Sequence, residues 1–152
     1  MADEKEQGYE WLEDMKNFNK ELEARILEAN QDETKLKWSK LLPDLMAAEV
    51  LMIGQYTEES VNGEKHLNIL MMQKDGRVAV PFFTSPERIS VFVKQNQTQF
   101  DVMKINTVNF FRSVMGKVTV MNPLTPYSRV FSPFEMTILV EENKDKAPKP
   151  EE

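Results

Sequence analysis

Two short stretches carry hydroxyls, carboxylates and a guanidinium at spacings that bear on chemistry. They are Phe83-Thr84-Ser85-Pro86-Glu87-Arg88 and Phe131-Ser132-Pro133-Phe134-Glu135. In the second, Ser132 as N-cap puts Pro133 at the first helical position, where a missing N–H costs nothing. Glu135 completes a capping box, and Phe131 with Met136 takes the two staple positions. Capping geometry is a sufficient account of that motif, and Ser132 has no base beside it to make a nucleophile. The first stretch is open to two registers. Thr84 with Glu87 reads as one capping box, and Ser85 with Pro86 as a cap followed by a first-turn proline. Free N–H groups at a helix start attract anions, and Arg88 adds a charge. Thr84, Ser85 and Arg88, with Asn122 and Tyr127 from a later loop, are therefore the ligand-binding candidates, for a small anion or a carboxylate.

Other chemistry finds little support. His66 is the single histidine, and the chain has no cysteine. A Ser-His-Asp triad or a His/Cys zinc site lacks its parts. Five scattered glycines write neither a P-loop nor a dinucleotide fingerprint. No catalytic residue, metal or cofactor is expected.

The elements that must position these residues follow from periodicity. Residues 1–31 read as an acidic amphipathic helical extension, with Trp11, Met15, Phe18, Leu22 and Ile26 on one face. These five are the candidates for contact with a protein partner or a second copy, the alternative being burial on the chain's own domain. Asp32 is a fair N-cap for a second helix, which Pro43 kinks or restarts. Strands are expected at 50–56, 67–72 and 77–82, the last two joined at Asp75-Gly76, as an antiparallel meander. A helix over 86–95, a short strand over 100–105, a helix from Thr107 capped by Asn106, a strand over 117–121, a loop over 122–130 and a helix from Ser132 to about Glu142 complete the domain. The charged tail from Lys144 reads as disordered. The expected class is α+β, a mixed and mainly antiparallel sheet of about five strands with helices packed on it, over residues 32–142.

Charge narrows the partners. Of the net −6, residues 1–35 hold 11 acidic and 5 basic side chains, and residues 36–152 hold 14 of each. A neutral body without a basic stripe argues against nucleic acid, and an acidic polar face on the first helix argues against a membrane surface. The polar N-terminus does not read as a signal peptide, so a cytoplasmic setting is expected.

The motifs also resemble a known family. Gly76-Arg77, then Val80-Pro81-Phe82-Phe83-Thr84-Ser85-Pro86-Glu87-Arg88, Asn122-Pro123 with Pro126-Tyr127, and Phe131-Ser132-Pro133 occur in one order. Upstream, the run from Leu45 to Ile53 looks like a helix-to-strand passage. Together they resemble the SseB N-terminal domain family, the bacterial enhanced serine sensitivity proteins. The resemblance implies a fold and a bacterial cytoplasmic setting, and no reaction. That family usually has glycine after Asn-Pro and again after Pro-Tyr, where this chain has Leu124 and Ser128. If those glycines supply positive φ, the loop here has to differ. The expectation is a non-enzymatic interaction or accessory module, or else an anion or amino-acid carboxylate sensor working at the helix start near Ser85.

Overall fold

A computed structural model describes residues 17–57, 66–69, 71–74, 76–96 and 101–148. Among them lie helices α1 (Lys20–Gln31), α2 (Leu36–Ala47), α3 (Pro86–Asn96), α4 (Thr107–Ser113) and α5 (Pro133–Asn143). The strands are β1 (Glu49–Thr57), β2 (His66–Ile69), β3 (Met72–Lys74), β4 (Arg77–Phe82), β5 (Asp101–Asn106), β6 (Val118–Met121) and β7 (Arg129–Phe131). The class is α+β, as expected.

The strands divide into two sheets. One has the order β2-β1-β5 and is antiparallel throughout. The other has the order β3-β4-β6-β7, with β4 and β6 parallel. Among the described residues one paired position joins them: Leu51 and Phe83 exchange backbone hydrogen bonds of 2.7 and 2.8 Å. The expected three-stranded meander is thus split. β2 and β3 both fall on the stretch read as one strand, and they serve different sheets. The hairpin signal holds, with Gly76 at φ +78° and Lys74 opposite Arg77.

Alternation along the strands makes two cores. Val50 and Met52 of β1, with Val80 and Phe82 of β4, face a main core that α1, α2, α4 and α5 cover. Its centre is Phe82, Phe110, Phe111 and Phe131, with Phe82 and Phe110 ring centroids 5.1 Å apart. Leu51, Ile53 and Phe83 face the other way, onto Ile89 and Phe92 of α3.

Local helix signals were realised unevenly. Ser132 Oγ accepts the Glu135 N–H at 3.1 Å, and Phe131 and Met136 are both fully buried. The Glu135 carboxylate goes to Arg129 at 2.7 Å. Asn106 Oδ1 caps α4 by accepting the Asn109 N–H at 3.2 Å. Pro43 lies inside α2 without dividing it. Lys35, at φ +64°, is the residue before α2, yet Asp32 still caps that helix from upstream, taking the Lys37 N–H at 3.0 Å. That bond, followed by one from Thr34, holds the Asp32 carboxyl below its ordinary value.

The segment 20–31 is a structural member of the domain. Ile26 and Ala29 are buried in the main core, and Leu22 packs against its edge. Phe18 packs on the second core. Trp11 and Met15 lie outside the described residues.

Candidate functional site

Parallel neighbours send their chains out at the same end of a sheet. β4 and β6 are such neighbours, with Phe82 opposite Met121. Thr84 and Asn122 therefore emerge side by side, and the Asn122 N–H donates to the Phe82 carbonyl at 2.8 Å. Asn122 takes φ +49°, a conformation that asparagine tolerates better than most residues. Its side chain then turns on Thr84. Oδ1 accepts the Thr84 N–H at 2.9 Å, and Nδ2 donates to Thr84 Oγ1 at 2.9 Å and to the Tyr127 carbonyl at 3.3 Å.

The Thr84 hydroxyl has one proton to give, and it goes to Glu23 Oε2 at 2.5 Å. The same carboxylate oxygen lies 3.5 Å from Arg88 Nε. Arg88 stacks 4.2 Å over the Tyr127 ring and reaches Ser85 Oγ at 3.5 Å. All five candidates read from the sequence, Thr84, Ser85, Arg88, Asn122 and Tyr127, thus meet at one place. Thr84 and Asn122 are wholly buried, and Ser85 is nearly so. Of the two cap registers, the helix begins at Pro86, directly after Ser85. Thr84 and Glu87 do not close a box, because Thr84 is spent on Glu23 and Asn122, while the exposed Glu87 pairs with Arg88 at 3.0 Å.

Three residues of the site were not anticipated: Asn19, Glu23 and Asn30. Asn19 Nδ2 donates to the carbonyls of Glu49 and Thr84. Asn30 Nδ2 donates to the carbonyls of Pro126 and Ser128, both at 3.0 Å. Helix α1 therefore ties the strand ends to the loop over 122–128 along about 16 Å of its length. A signal was present. Asn19, Glu23, Ile26 and Asn30 follow spacings of 4, 3 and 4, the period of the apolar stripe itself.

Two consequences bear on chemistry. The Thr84 hydroxyl has an adjacent carboxylate, yet no solvent-facing surface from which a substrate could approach. And the carboxylate beside Thr84 and Arg88 belongs to the chain, in Glu23, which is itself only 8% exposed.

A second polar cluster flanks the loop. The Arg129 guanidinium lies 4.6 Å from the Trp38 ring centroid and 4.4 Å from that of Phe131, with Nη2 on Glu135. Its Nη1 has no hydrogen-bond partner, and the two rings provide compensating cation–π attraction. Trp38 Nε1 donates to Asn30 Oδ1 at 3.0 Å, which links this cluster to α1.

Between the clusters the loop is braced internally. Thr125 Oγ1 donates to the Asn122 carbonyl and accepts the Tyr127 N–H. At its tip, Leu124 has φ +68° and is 62% exposed. This is the position where the resembling family has glycine, and the backbone keeps the left-handed geometry with a leucine in it. Ser128, at the other such position, has no positive φ.

The family model for the SseB protein N-terminal domain matches residues 22–137 of this chain. No curated protein matches it. Among the described residues, no helix is long and apolar enough to cross a membrane.

Proposed function

Because the chain belongs to the SseB protein N-terminal domain family, we propose that it is a bacterial cytoplasmic protein that catalyses no reaction and works as an interaction module. Family membership supplies a fold and leaves the activity open. The docking element in this reading is the loop over 122–128, and the observation that carries it is Leu124. An L-residue in the left-handed region costs about 1–2 kcal/mol, and strain of that kind persists where the surroundings over-determine it. Here the strain holds an exposed aliphatic side chain at the tip of a loop braced by Asn30, Asn122 and Thr125. A rigid apolar anchor costs little ordering entropy on binding.

Leu124→Gly separates the two roles of the residue. Relief of strain, less the extra freedom of glycine in the unfolded chain, should stabilise the protein by about 0.5–1 kcal/mol. The midpoint of thermal unfolding should then rise by roughly 1–4 °C. Partners captured quantitatively by the wild-type chain from lysate should fall at least tenfold with the variant. An unchanged set of captured proteins would sink this reading, since the variant is the better-folded one.

A second reading, a sensor of a small anion or an amino-acid carboxylate near Ser85, is favoured by one observation. Thr84 and Arg88 already hold a carboxylate, that of Glu23. A free anion would have to displace a side chain carried on a helix whose Ile26 is fully buried. Glu23→Gln weakens the incumbent. On this reading, amide signals of residues 84–88 shift with millimolar serine, phosphate or a dicarboxylate, more in Glu23→Gln than in wild type. No shift in either protein counts against it.

A further inference from the structure

The outer face of α5 is apolar at one end and acidic at the other. Phe134 is 78% exposed and Ile138 40%. They are one turn apart, on the same side of the helix. Phe134 has no part in starting α5, because Phe131 and Met136 fill the staple positions and Ser132 makes the cap. Its ring is left outside the core and would gain from burial. One turn beyond Ile138 come Glu141 and Glu142, both exposed. The last turn of α5 contains no basic residue. Carboxylates there face the negative end of the helix dipole, which disfavours them. The one basic partner of Glu141, Lys144 at 3.0 Å, follows the helix and is itself exposed. The exposed ring contributes little to the isolated helix, and of the two acids only Glu141 has an ion-pair partner among the described residues.

We infer that this face binds a basic amphipathic helix of another protein. The charge pattern selects the occupant. Two apolar side chains one turn apart would cover Phe134 and Ile138, and lysine or arginine one turn further along would meet Glu141 and Glu142, about 12 Å from Phe134 along the axis. The acidic end repels an anionic lipid surface. The inference stands on α5 alone and does not depend on Leu124.

The test places the photo-crosslinking residue benzoylphenylalanine at exposed Thr137 in the full chain, in cells of its source, and sequences the crosslinked peptide. The expected adduct carries apolar residues at i and i+4 with lysine or arginine one turn away. Its yield should fall at least tenfold in Phe134→Ser and in the double variant Glu141→Lys/Glu142→Lys. It should be unchanged in Leu124→Gly, which separates this face from the loop. Thermal unfolding of each variant establishes that it is folded; the lysine pair should melt no lower than wild type, since it suits the helix dipole. An adduct with a second copy of the chain, with lipid, or with a neutral or acidic segment would overturn the inference. So would an unchanged yield in either variant, or no adduct.

Discussion

Removal of residues 1–31 is expected to abolish cooperative folding. Ile26 is fully buried and Ala29 is 1% exposed, both within the main core. Burial of an isoleucine is worth about 1.5–3 kcal/mol, and removing the helix also uncovers the apolar side chains it packs against. Without Glu23, the Thr84 hydroxyl and the Arg88 guanidinium lose their shared acceptor. Each such loss costs about 1–3 kcal/mol. Without Asn30, the carbonyls of Pro126 and Ser128 lose their donor. The sum is comparable to the 5–15 kcal/mol by which a whole domain is stable. The chain 32–152 should therefore show no sigmoidal urea transition and little near-ultraviolet dichroism. In the full chain, Ile26→Asp alone should cost about 4 kcal/mol, because it buries a charge and leaves a void. A cooperative transition for 32–152 within about 1 kcal/mol of the full chain would mean that the segment is an appendage, as its charge suggests.

That charge shows where sequence reasoning stopped short. The amphipathic stripe was legible, and Phe18, Leu22 and Ile26 do lie on it. The destination of the stripe was not, because periodicity identifies a face without identifying what covers it. Polar residues beside the same stripe, Asn19, Glu23 and Asn30, carry no signal of their own, because polarity alone marks a solvent face. Only Glu23 of the three is buried; what all three share is a hydrogen-bond partner 65, 61 and 96 residues away.

The same division runs through the rest of the molecule. The Ser132 cap, the Asn106 cap and the Gly76 hairpin depend on neighbours within four residues, and all three are present. Strand partnership depends on distant segments. β1 pairs with β5 from about a third of the chain away, and β7 is three residues long after a loop with two prolines. Its single fully buried side chain, Phe131, was visible, but its pairing with β6 was not. The five ligand candidates were legible as residue types at chain reversals. That they converge is a product of the parallel β4–β6 pair, which no local pattern announces.

Asn122→Ala tests that convergence most directly. The side chain supplies the acceptor for the buried Thr84 N–H and donors to Thr84 Oγ1 and the Tyr127 carbonyl. Losing the acceptor strands a buried N–H, at about 1–3 kcal/mol. Alanine must also hold φ +49°, which adds about 1 kcal/mol. The expected loss is about 3–4 kcal/mol by urea denaturation, large for a single residue in a loop. Asn122→Gly removes the same hydrogen bonds without the backbone penalty, so it should lie about 1 kcal/mol above the alanine variant. If the two variants match wild type, the network contributes no stability. A double-mutant cycle with Glu23→Gln then asks whether the site is one unit. Glu23 and Asn122 share the Thr84 hydroxyl, which donates to one and accepts from the other. When Asn122 is gone that hydroxyl is freer to reorient, so the second substitution should cost less than it does alone, by at least about 0.5 kcal/mol. Strict additivity, within about 0.3 kcal/mol, would show two independent contacts that happen to share an oxygen. Coupling would establish that helix α1, the end of β4 and the 122–128 loop are held as one body, which is the rigidity that a strained Leu124 requires.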